Sequence, residues 1–232
     1  MILFVYWGLN LIINILLIIK IKKMSGILDL LNSDLGKSII SGVASSTGHD
    51  TNKTGGVLTM ALPVLMKAMQ RNASTPEGAD GLMNALSNKH DGSILDNLSN
   101  LFKGGVDSNV LNDGNKILGH VLGSKQQGVQ QVIGQKVGVD AGGVGNILKV
   151  AAPILMGFLG KQTRQSNVSS SSGLSGLLGG MLGGNSTQKE QSFLEKILDA
   201  DGDGSIIDDV AGMFLGGKKG GLGGLLGGLF GK

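Results

Sequence analysis

Residues 199–210, "DADGDGSIIDDV", are where residue type and spacing come closest to a known chemistry. Asp199, Asp201 and Asp203 occupy positions 1, 3 and 5 of an EF-hand-type loop, and Gly204 falls at position 6, where the chain turns sharply. Ser205 at position 7 offers a backbone carbonyl, and Ile206 at position 8 is the apolar residue such loops carry. Calcium, a hard cation, binds arrays of oxygens of this kind. The twelfth position departs from the pattern: Val210 stands where a bidentate glutamate belongs, and Asp209, one residue earlier, is the substitute. Without that ligand the expected affinity is weak, about 10⁻⁴ M or poorer. The competing reading is an aspartate-rich turn whose carboxylates accept hydrogen bonds from nearby backbone N–H groups. Both stand on the sequence. Ahead of the loop, "KEQSFLEKIL" (189–198) reads as a helix, and "DDVAGMFL" (208–215) as the start of another.

Other stretches carry less. "LGKS" (35–38) has the end of a phosphate-binding loop, but Leu31 occupies the place of the first glycine and no strand leads in. "DAGGVGN" (140–146) is glycine-rich without the G-x-G-x-x-G spacing of a dinucleotide site, and reads as a helix entry. His49, His90 and His120 lack metal-ligand spacing; "KHDGS" (89–93) reads as a turn and His120 as a packed or capping histidine. No G-x-S-x-G elbow occurs. The sequence therefore predicts a protein that is not an enzyme, with a catalytic cleft assembled only in three dimensions as the alternative.

What would position such groups is a body of 232 residues, 41% hydrophobic but only 3% aromatic, so its core must be aliphatic. There is no cysteine, which excludes disulfides and thiolate metal sites. The net charge of +3 is supplied entirely by Lys20, Lys22 and Lys23, leaving residues 24–232 neutral. A neutral body without a basic stripe argues against nucleic acid. Of 41 glycines, 18 lie from Val168 onward. Gly176, Gly180 and Gly184 form one four-residue ladder and Gly216, Gly220, Gly224 and Gly228 another, a spacing that packs membrane helices. The apolar stretch after Lys219 is too short to span a bilayer, so in water the end of the chain reads as a flexible low-complexity tail.

The first twenty-three residues are apolar from Ile2 to Ile19 and end in "KIKK". One reading is a membrane anchor through residues 2–19, near the minimum spanning length, with the basic flank and the body on the cytoplasmic side of the inner membrane. The other is an upstream start, since the stretch holds no Ala, Ser, Thr, Asp or Glu and Met24 opens a natural beginning; the protein is then cytoplasmic.

At an offset of 90 residues the chain repeats itself. "GHDTNKTGGVLTMALPVLM" (48–66) lies over "GVDAGGVGNILKVAAPILM" (138–156) with eight of nineteen positions identical, among them Pro63 and Pro153. Each copy reads as a helix of roughly sixteen residues, apolar nearly all round and hence buried. Asp50 and Asp140 stand where they would cap these helices. A mid-helix proline bends the axis; a second short helix starting at each proline is the competing local reading. Further helices are predicted after the Thr75–Pro76 cap and over 27–31, 35–45, 94–102, 115–122 and 126–135. No segment alternates with strand period.

"ILGHVLG" (117–123), then "VQQVIGQKVGVD" and "ILKVAAPILMGFLGK", resemble the bacterial YidB-like family, known as domain of unknown function 937. The resemblance covers about residues 25–165. It implies an all-helical bacterial domain and brings no activity and no catalytic residues. The first copy lacks the histidine-bearing glycine motif, so the two halves need not do the same job.

The resulting expectation is an all-α, multihelical globule with two internally repeated proline-containing core helices and a flexible glycine-rich tail. Its parts are a leader (1–23), a helical domain (24–165), a Ser/Gly-rich linker (166–188), the helix–loop–helix around the aspartates (189–215) and the Gly/Leu end (216–232). Two functions fit: a structural or interaction module that binds a protein partner or itself, or a weak calcium binder through Asp199, Asp201, Asp203, Ser205 and Asp209.

Overall fold

The computed structural model describes residues 26–183. The leader, the aspartate-rich loop with Asp199, Asp201, Asp203, Ser205 and Asp209, and the Gly/Leu end lie outside the described residues. Within them the helices are α1 (Ile27–Asn32), α2 (Asp34–Thr47), α3 (Thr51–Asn72), α4 (Pro76–Asn88), α5 (Ser93–Asp96), α6 (Leu98–Phe102), α7 (Ser108–Leu122), α8 (Gln126–Val137), α9 (Ala141–Gln165) and α10 (Ser171–Gly183). A 3₁₀ turn, Gly123–Lys125, joins α7 to α8. No strand occurs among the described residues. The expected helix at 94–102 is broken at Asn97, whose φ of −118° leaves the helical range and divides α5 from α6.

The duplication is written into the backbone. Gly48 and Gly138 end α2 and α8 in the left-handed conformation, at φ 70° and 73°, which glycine adopts without a Cβ penalty. In each copy the next backbone N–H turns back to the same carbonyl, His49 to Ala44 and Val139 to Gly134, at 3.1 and 3.0 Å. Two residues after each glycine an aspartate begins the following helix. Asp50 Oδ1 accepts from the N–H groups of Asn52 and Lys53, and Asp140 Oδ1 from that of Gly143.

The two long helices run unbroken through their prolines, α3 for 22 residues and α9 for 25. A proline starting a second helix is thereby set aside, and each element outlasts the expected sixteen residues because a polar C-terminal stretch continues it. Pro153 is buried and Pro63 half-buried. Helix α9 is buried at every position from Val150 to Gly160 and forms the centre of the core. It is long and apolar enough to cross a membrane, yet 83% of its most apolar window is enclosed by the rest of the protein.

The expected linker at 166–188 is corrected by α10. Ser170 caps it by accepting from the Gly173 N–H at 3.2 Å, and Leu174 and Leu178, one turn apart, are wholly buried. Serine and glycine content suggested a flexible stretch; a cap and two leucines at i and i+4 overrode it. Helices α4 and α10 are both 13 residues long and both follow a hydroxyl cap, Thr75 and Ser170. They are exchanged between the halves: α10 packs on α3, and α4 packs on α9.

Candidate binding cleft

Among the described residues three elements enclose a main cleft of about 690 Å³: the C-terminal end of α3, helix α4 and helix α7. Met69, Leu82, Ala85, Ile117, Val121 and Met156 give it an apolar floor. Arg71, Lys89, Lys116 and His120 stand around its exposed rim. Asp113 is the one acidic residue in its lining. This volume and this mixture, an apolar bed with a few converging polar groups, are those of ligand sites.

One end is closed by Asn72, whose Nδ2 donates to the carbonyls of His120 and Val121 at 3.1 and 3.3 Å. These are last-turn carbonyls of α7, which lack helical partners, so the amide joins the end of α3 to the end of α7. At the other end lies the turn carrying His90. Arg164 of α9 donates to the Asp91 carbonyl and pairs with its carboxylate at 3.6 Å, and Lys161 meets Asp96 at 3.4 Å. Gly160 lets the turn seat, because a Cβ there would strike the His90 carbonyl.

His90 itself is only 9% exposed at its side chain, with Nε2 3.7 Å from Asp113 Oδ2. Burial pushes its pKa down; Asp113 opposes this and Lys89 adds to it, and the net direction is down. Its unfolded counterpart protonates near pH 6.5, so below that pH the unfolded chain binds more protons and folded stability falls. The urea midpoint is therefore expected to drop as pH falls from 7 toward 5, and His90→Gln to flatten that part of the profile. Equal slopes in the two proteins would refute the assignment. The carboxylates of Asp91, which accepts from the Ser93 N–H, and of the helix cap Asp140 are held below the usual aspartate range chiefly by backbone N–H donors. Their contribution is lost only at lower pH, as the medium falls through the depressed values, so the two windows separate.

The duplication shows that this opening is particular to one half. At the same offset of 90, residues 27–32 correspond to 117–122, Pro63 to Pro153 and Met66 to Met156; α10, which follows its cap as α4 does, lies at an offset of 95 from α4. The corresponding gap, lined by Gly26, Ile27, Leu28, Asp29, Pro63, Met181 and Leu182, holds only about 20 Å³. Leu30 and Leu31, next along α1, are buried, at 3% and 5% exposure. Their counterparts are His120, which is exposed, and Val121, half-buried. The motif "ILGHVLG" thus forms a wall of the open cleft. Of the two readings from the sequence, packed or capping, the packed one is set aside: His120 is exposed in the last turn of α7, where the other copy has the buried Leu30.

The remaining sequence candidates have structural roles. Gly36 of "LGKS" lies within α2, against the carbonyls of Leu30 and Leu31. "DAGGVGN" is the capped first turn of α9. His49 holds the Thr47 carbonyl through Nδ1 at 2.8 Å, with its ring over Gly143. Among the described residues no group of three or more His, Cys, Asp or Glu is placed to hold a metal. A second cleft of about 550 Å³ is lined mainly by hydroxyls and amides, including Thr47, Asn112, Asn115 and Asn146, beside Lys149. Sequence reasoning missed the main cleft, since its three walls and the Met156 of its floor come from four separate segments of chain.

Fold and cleft together define an all-helical domain built from two copies of a helix–turn–helix unit, with one copy opened. The chain belongs to the family described as "Bacterial protein of unknown function (DUF937)", whose model matches residues 29–162. That span is more than half the chain, includes every wall of the cleft and stops short of α10. Comparisons with curated proteins and with solved structures return no match.

Proposed function

We propose that the protein is a non-enzymatic interaction module whose recognition element is the cleft between α4 and α7. The observation that carries this is the contrast between copies, about 690 Å³ open in one and about 20 Å³ in the other. A gap left by loose packing would have no reason to be ringed by Arg71, Lys89, Lys116 and His120. An apolar bed under a cationic rim selects an amphiphilic anion: burial of its apolar part supplies affinity, and the rim supplies orientation and sign. Leu35 is the single large apolar side chain exposed among the described residues, so recognition by this body concentrates in the cleft.

Anilinonaphthalenesulfonate, an amphiphilic anion whose fluorescence rises in apolar surroundings, is the test ligand. Binding is expected to weaken at least tenfold in Ala85→Trp, which fills the floor, and several-fold in Lys89→Glu/Lys116→Glu, which reverses the rim. Circular dichroism and melting curves confirm that both variants stay folded. Unchanged binding in both folded variants would exclude the cleft as the site.

A further inference from the structure

We infer that the resident occupant of the cleft is the chain's own acidic segment, residues 189–209. This rests on the reading of the cleft as a binding site and goes on to name what fills it. The chain outside the described residues offers three stretches, and charge separates them. The leader ends in Lys20, Lys22 and Lys23, and the Gly/Leu end carries Lys218, Lys219 and Lys232, all of the same sign as the rim. Residues 189–209 carry seven acidic side chains against two lysines. They also hold the apolar residues a helix-in-groove contact needs: Phe193, Leu194, Ile197 and Leu198, at i, i+1, i+4 and i+5.

The path is short. Helix α10 ends at Gly183 and packs on α3 and α4, two of the three cleft walls. Phe193 follows ten residues later, a reach of up to about 35 Å when extended, whereas α4, with its 13 residues, is only about 20 Å long. Tethering at that length gives an effective concentration in the millimolar range, so modest contacts suffice to keep the segment seated. An external acidic partner must then displace the segment.

The chain has no cysteine, so an introduced pair reports one proximity without background. In full-length protein, Lys116→Cys/Glu195→Cys is oxidised mildly beside the control Lys53→Cys/Glu195→Cys. Lys53 sits on α3 about 27 Å from Arg71 along the helix. The expected result is an intramolecular disulfide in the first protein and none in the control, with formation reduced at high salt. Alongside, full-length Phe193→Ser/Ile197→Ser is expected to bind anilinonaphthalenesulfonate at least tenfold more tightly than the parent, because the competitor has been weakened. Covalent dimers in place of the internal bridge would assign the segment to a second copy and overturn the inference. Equal probe affinity in parent and variant would overturn it too while leaving the cleft as a binding site. No probe binding in either protein would bring down the cleft reading as well.

Discussion

Gly114→Ala is expected to lower the free energy of unfolding by about 3 kcal/mol, the upper part of the range for overpacking a close-packed contact. Gly119→Ala, five residues along the same helix, is expected to raise it by about 0.5–1 kcal/mol. Both glycines lie inside α7. A Cβ on Gly114 would fall on the backbone of Lys149 in α9, striking its carbonyl oxygen and carbon, whereas a Cβ on Gly119 meets nothing within 4 Å. Backbone cannot rotate aside as a side chain does, so α7 must retreat from the helix on which it packs most extensively. The carbonyl concerned is four residues before Pro153, which has no N–H to donate to it. Proline strips a carbonyl of its helical partner, and glycine in the next helix approaches that carbonyl closely enough for a Cα–H···O contact. The two residues are therefore coupled: the cost of Gly114→Ala should differ in a Pro153→Ala background. Urea midpoints followed by circular dichroism measure all four proteins, and coincident transitions for Gly114→Ala and Gly119→Ala would refute the account.

Leu174→Ala and Leu178→Ala should each destabilise the protein by about 2–5 kcal/mol, as large-to-small changes in a closed core do. Both side chains are wholly buried, and α10 lies on α3 and α4. Leu177, next in sequence to Leu178 but only half-buried, is the internal control and should cost less. The effect is large because α10, from the second half of the chain, packs on α3 of the first half as α4 packs on α9 of the second, so emptying its contacts opens a seam shared by both halves. Thermal melts of the three full-length variants decide it; near-parental stability for Leu174→Ala and Leu178→Ala would mean that α10 is not part of the folded unit.

These variants mark how far the sequence could be read. The repeat at an offset of 90 was visible from eight identities, and its consequences were local: a glycine with positive φ, an aspartate two residues later accepting backbone N–H groups, then a long apolar helix. Each step involves residues within about four positions of one another, the range over which caps and helical periodicity act. The all-α class followed from the same patterns. Helix α10 was hidden because its serines and glycines outweigh its four leucines in composition, although burial depends on where those leucines land. The cleft was hidden because Met69, Leu82, Ile117 and Met156 converge on it from four separate segments.

The sequence by itself determined the duplication, its two long helices and the aspartates that cap them, since these are settled by neighbouring residues. Only the tertiary structure decided that one copy closes on itself while the other stays open. The two copies differ at one corresponding position, where one carries Leu30, which is buried, and the other His120, which stays in solvent. An apolar side chain gains by leaving water and an imidazole loses hydration there, so two nearly equal halves reached different shapes.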